Sequence, residues 1–149
     1  MSRLIVDKFT HQSAMQLHRT LYLMDKQAER VLQDRHSLTL SQFFVLAQLV
    51  RSQLCQRELA EAIGITPAAI SRHVGLLVRL GLLDRQAHDS DKRFELIVIT
   101  EQGRREFEAA AADLDDFFEA RYKSLKPAQK QQIMDSIGSL MGCYDGNCQ

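Results

Sequence analysis

The chain predicts a mainly α fold interrupted by one small β-hairpin. Three observations carry this reading. A short amphipathic helix, a turn and a capped second helix lie between Arg57 and Leu80. Two strand-like runs, Leu82–Ala87 and Phe94–Thr100, follow at once and flank the all-polar stretch His88–Arg93. Outside this segment apolar residues recur at steps of three or four, the period of helices with one buried face.

The first helix runs from about Gln12 to Arg35, striped by Ala14, Leu17, Leu21, Met24, Ala28 and Val31. Thr39 or Ser41 opens a second, Gln42 to Ser52, whose Phe43, Phe44, Leu46, Ala47 and Val50 are expected in the core. In Arg57–Ile63 the apolar Leu59, Ala60 and Ile63 share one side while Glu58 and Glu61 stay wet, and Gly64 ends the helix. Thr66 is placed to cap the next helix, with Pro67 at the first position, where a missing N–H is harmless. At about 100° per residue, Ile70, Val74 and Leu77 group inward, and Pro67, Ala68, Ser71, Arg72, Gly75 and Arg79 group outward. After the hairpin Thr100 caps a helix to about Lys123 bearing Phe107, Ala111, Leu114, Phe117 or Phe118, and Arg121 or Tyr122. Pro127 starts the last helix, with Ile133, Ile137, Leu140 and Met141.

Two helices followed by a charged hairpin form a winged helix-turn-helix, which points to double-stranded DNA. A helix that enters the major groove needs small side chains near its N-terminus, so that its backbone approaches closely, and a group that reaches base edges or phosphates. Thr66, Pro67, Ala68, Ser71 and Arg72 fit that description, with Arg72 the best reader. Gly75 costs the helix roughly 1 kcal/mol relative to Ala, which leaves close approach to DNA or simple tolerance as its explanation. Lys92 and Arg93 can meet phosphates or a narrow minor groove. Asp91 would be repelled by phosphate and is read as orienting Arg93.

These residues carry a resemblance to the MarR family of bacterial transcriptional regulators. It rests on Glu58-Leu59-Ala60, the helix Pro67 to Leu80, Gly81-Leu82-Leu83-Asp84-Arg85, the wing Asp89-Ser90-Asp91-Lys92-Arg93, and Val98-Ile99-Thr100-Glu101-Gln102-Gly103. The resemblance implies an obligate homodimer on a palindromic operator, usually a repressor relieved by a small ligand or by oxidation. A small aromatic ligand would enter between the dimer helices and the winged unit, here near the first helix and Phe43 and Phe44. The chain departs from the family at Gly75-Leu76, where a polar or basic pair is usual, and at His73, usually aliphatic.

At 149 residues, 45% hydrophobic, the chain is expected to form one domain: a DNA-binding lobe over 36–100 and a helical dimerisation region over 1–35 and 101–149. Two recognition helices must sit about one DNA turn apart, roughly 34 Å, which one winged unit cannot span. Formal net charge is zero, but residues 106–149 hold 8 acidic against 4 basic groups, so the acidity lies away from the reading surface. With no signal peptide or apolar run long enough to cross a bilayer, the expectation is a cytoplasmic protein with no membrane partner. No phosphate loop, nucleophile elbow or metal-ligand helix appears, so neither enzyme chemistry, cofactor nor metal is expected. His11 and His18 are read as exposed polar residues and His73 as half-buried beside Ile70 and Leu77.

Cys55 precedes the helix-turn-helix, and Cys143 and Cys148 bracket a turn-forming Asp-Gly-Asn. These thiols stand open as unreacted groups, as redox sensors through a regulatory disulfide, within the tail or between subunits, or as soft-metal ligands. The alternative to a DNA-binding regulator is a winged-helix protein-interaction module or thiol sensor without specific DNA binding.

Overall fold

A computed structural model describes residues 10–87 and 95–144. In chain order it contains α1 (His11–His36), α2 (Leu40–Arg51), α3 (Gln56–Ile63), α4 (Pro67–Arg79), β1 (Leu83–Ala87), β2 (Glu95–Ile99), α5 (Glu101–Arg121) and α6 (Pro127–Tyr144). The chain divides into two compact units, Met1–Leu114 and Asp115–Gln149.

Local chemistry sets the helix ends. Thr39, rather than Ser41, caps α2: its hydroxyl accepts from the Gln42 N–H at 3.2 Å, and the Gln42 side chain accepts from the Thr39 N–H at 2.8 Å. This reciprocal box explains how Gln42, a polar residue, sits in the core at no cost in unsatisfied groups. Thr66 caps α4 by accepting from the Ala69 N–H at 3.2 Å, with Pro67 at the first position. Gly64 ends α3 at φ +74°, in the left-handed region that L side chains avoid.

The core of the first unit gathers Ala28 and Leu32 from α1, Leu38 from the turn after it, Val45, Leu46 and Leu49 from α2, Leu59 and Ala60 from α3, and Ile70, Val74 and Leu77 from α4. Ile97 and Val98 of β2 and Ala110 and Leu114 of α5 complete it. The expected core of α2 needs correction: Phe44 is 44% exposed and Phe43, Ala47 and Val50 are half-buried, while Val45 and Leu49 join Leu46 inside. Residues 42, 45, 46 and 49 stand at i, i+3, i+4 and i+7, one face of the helix, and Phe44 falls on the other side. Of the α1 stripe only the C-terminal end is buried; Leu17 and Leu21 are exposed, as are Met15, Tyr22 and Leu23.

β1 and β2 pair antiparallel from Leu83↔Ile99 to Ala87↔Glu95. Leu54 adds a one-residue third strand, exchanging both backbone hydrogen bonds with Ile97 at 2.8 and 3.4 Å. Thr100 then fastens α5 to the sheet: its hydroxyl accepts from the Gly103 N–H at 2.9 Å and lies 2.7 Å from the Gly81 carbonyl and 3.1 Å from that of Leu82. Gly103 allows this docking, because a Cβ there would stand 2.0 Å from the Leu82 carbonyl oxygen.

In the second unit the rings of Phe117, Phe118 and Tyr122 line the end of α5, with successive centroids 5.4 and 6.0 Å apart. Lys130 donates to both oxygens of Glu119 at 2.7 Å. α6 leaves Ile133, Met134, Ile137 and Met141 exposed.

Candidate nucleic-acid interface

α4 separates two faces. Ile70, Val74 and Leu77 are fully buried, and Pro67, Ala68, Ser71, Arg72 and Arg79 are exposed, as the sequence periodicity predicts. The side chains facing out near the N-terminus are the short ones, and the aligned peptide dipoles give that end a partial positive charge. Thr66 is exposed, its hydroxyl engaged in the cap.

A cleft of about 600 Å³ runs along α4 beside Gln42 and is lined by Arg72, His73, Gly75 and Arg79. Among the described residues neither Arg72 nor Arg79 has a carboxylate partner, so both guanidinium groups are available to an anion. His73 is half-buried, as expected, but borders this cleft. Gly75 answers to no steric demand among the described residues, where a Cβ would meet the Arg79 guanidinium at 3.9 Å and nothing nearer.

On the hairpin, Arg85 pairs with Glu95 at 2.9 Å across the strands, adding one diagonal ion pair to the ladder. Asp91, Lys92 and Arg93, the sequence candidates for the wing tip, lie outside the described residues. Cys55 is a free, half-buried thiol immediately before α3, and its backbone N–H donates to Glu58 at 2.8 Å. Cys143 is exposed near the end of α6, and Cys148 lies outside the described residues. Among the described residues no three His, Cys, Asp or Glu side chains are grouped to hold a metal ion. Likewise none of their helices is long and apolar enough to cross a membrane.

One polar cluster escapes sequence reading. His36, at the end of α1, places Nδ1 2.9 Å from Glu106 and Nε2 3.0 Å from Asp113, both on α5. Arg35 reaches the other Asp113 oxygen at 2.9 Å. The hydrogen bond from His36, aided by Arg35, holds the Asp113 carboxyl below its usual range despite the opposing effect of desolvation. The partners are 70 and 77 residues apart in sequence, and no motif links them.

Helix, turn, capped second helix and paired wing strands define a winged helix-turn-helix, the architecture of DNA-binding regulators. Residues 36–93 match the model of the MarR family. The chain is similar to YhbI of Bacillus subtilis, an uncharacterized HTH-type transcriptional regulator, at 23% identity over 138 residues, 92% of this chain and 90% of that one. A MarR-family regulator from Rhodococcus sp. RHA1 shares the fold at TM-score 0.79 and 23% identity, over 90% of this chain and 95% of its own. CouR from Rhodococcus jostii RHA1, crystallised with p-coumaroyl-CoA, matches at TM-score 0.74 and 25% identity, over 93% and 95%. Residues 36–93 are thus similar to the MarR family, and the likeness that spans most of the chain is to a protein described as an HTH-type transcriptional regulator.

Proposed function

We propose that the protein is a homodimeric repressor that sets two α4 helices into successive major grooves of a palindromic operator and leaves it on binding a small aromatic ligand or on oxidation. The observation that carries this reading is the division of α4 into a fully buried apolar face and an exposed face of small side chains with two arginines that have no carboxylate partner among the described residues. Arg72 reads a base or phosphate, Pro67, Ala68, Ser71 and Gly75 permit close approach, and Lys92 and Arg93, oriented by Asp91, contact the minor groove or backbone.

In this reading residues 36–100 are the DNA-binding lobe and 1–35 and 101–149 the dimerisation region. The exposed Met15, Leu17, Leu21, Tyr22 and Leu23 of α1 and Ile133, Met134, Ile137 and Met141 of α6 support dimerisation, since apolar surface of this extent gains by being covered. The complex of CouR with an aromatic thioester supports an aromatic ligand. Here Phe43 stacks on Phe107 at 5.2 Å and Phe44 leaves a ring open beside them.

The test is a salt-dependent titration against the DNA upstream of the protein's own gene, with random DNA alongside, in reduced and oxidised protein. Specific binding that weakens steeply with salt supports the reading. Arg72→Ala should then cost roughly 1 to 3 kcal/mol in specific affinity if Arg72 reads a base. Equal affinity for both DNAs in the reduced and the oxidised protein alike refutes it.

A further inference from the structure

The polypeptide leaves α1 at His36, builds α2, α3, α4 and the hairpin, and returns as α5 at Glu101. The ring of His36 spans this return. Glu106 and Asp113 are seven residues apart, two turns along one face of α5, and each takes a different ring nitrogen. The side chain of His36 is only 9% exposed, so water does not readily replace either partner.

A neutral imidazole has one N–H and one bare lone pair, whereas the charged ring has two N–H donors. Two ionised carboxylates are acceptors only. Both contacts are therefore hydrogen bonds only when His36 is charged, and the cluster of Arg35, His36, Glu106 and Asp113 is then electrically balanced. Loss of the proton leaves a surplus negative charge and sets a lone pair against a carboxylate. Among the described residues the charged groups facing the ring are Arg35 from its own helix and the two carboxylates from α5. The one charged residue of α2, Arg51, lines a separate cleft with Arg104.

The next residue adds a second observation. Ser37 has φ 54° and ψ 27°, and among the described residues it is the one non-glycine with positive φ. The turn is a helix C-cap held by its own backbone bonds, from the Ser37 N–H to the Gln33 carbonyl at 3.2 Å and from the Leu38 N–H to that of Leu32 at 3.3 Å, so the chain direction after His36 is fixed.

We propose that His36 is a charge-dependent clasp that fixes how the DNA-reading lobe is mounted between α1 and α5, so that DNA binding responds to pH. With the ring charged, the two chain exits of the lobe are tied and the α4 spacing of the dimer is defined. With the ring neutral, one tie opens and a fixed half-site spacing is met less often. The consequence for DNA rests on the repressor reading above; the clasp itself does not.

The experiment follows the full-length protein from pH 5.5 to 8.5 by thermal unfolding without DNA and by DNA titration at fixed salt, in wild type, His36→Gln and Glu106→Gln. The amide in Glu106→Gln accepts from an N–H or donates to a lone pair, so this variant keeps the tie whatever the ring's charge. Wild type should exceed His36→Gln in Tm by several degrees at pH 5.5, and the gap should close as pH rises. Glu106→Gln should lack that pH-dependent loss. Operator affinity should fall at least about fivefold from pH 5.5 to 8.5 in wild type, stay weak and level in His36→Gln, and stay level in Glu106→Gln. Parallel Tm profiles in all three proteins overturn the clasp. Divergent Tm profiles with the same affinity ratio in all three overturn its control of DNA. Divergent Tm profiles with no preference for operator over random DNA overturn the repressor reading, and the control with it, and leave the clasp standing.

Discussion

Gly103→Ala isolates the contact that docks α5 on the hairpin. The added methyl would be placed 2.0 Å from the Leu82 carbonyl oxygen, 2.9 Å from its carbon and 3.0 Å from the Ile99 side chain. Unstrained contacts between heavy atoms lie near 3.5 to 4.0 Å, so backbone must move by more than an ångström. The displaced carbonyl is the one that accepts from the Thr100 N–H at 3.1 Å and faces the Thr100 hydroxyl. Overpacking costs about 1 to 3 kcal/mol, and a weakened hydrogen bond about 1 more. Alanine's better helix propensity returns roughly 1 kcal/mol. The net expectation is destabilisation of about 2 kcal/mol, measured by urea unfolding as a lowered midpoint with unchanged slope. Gly138→Ala is the control: it lies within α6, a Cβ there meets nothing within 4 Å, and it should stabilise or be neutral. If Gly103→Ala matches Gly138→Ala, the docking argument is wrong.

Gly75→Ala tests why α4 carries a glycine. The protein has room for the methyl, so stability should rise by up to about 1 kcal/mol while operator affinity falls; unchanged affinity would remove close approach to DNA as the reason. Leu21→Glu places a charge on the exposed α1 stripe and should shift sedimentation from dimer toward monomer, and a dimer of undiminished stability would take this face out of the interface. Asp113 has a lowered pKa, so its contribution to stability is present above the ordinary carboxylate range and is lost as pH falls through the depressed value. Asp113→Asn should therefore be less stable than wild type at pH 7, with the difference shrinking in acid. An equal deficit at pH 7 and at pH 2 would contradict this.

The helix-turn-helix was the most legible part of the chain because its signals are local. Thr66, Pro67 and Gly64 act on backbone groups within four residues, and the inward face of α4 follows from helix period alone. Thr100 was recognised as a cap, but its position beside Gly81 and Leu82 joins groups 18 and 19 residues away and had no sequence signal. The core of α2 departs from its hydrophobic pattern for a related reason. Phe44 is among its most hydrophobic residues, yet burial is set by the side that α1, α3, α4 and β2 cover, and that side presents Val45 and Leu49.

The sequence by itself determined the order of elements, their caps and turns, and the outward placement of Ser71 and Arg72, since each depends on interactions within about one helical turn. Only the tertiary structure decided which apolar stripes are covered, that Leu54 joins the sheet, that Gly103 must lack a side chain, and that His36 lies between Glu106 and Asp113. Those facts arise when distant segments come together, and a lone histidine at a helix end carries no mark of the two carboxylates it will meet.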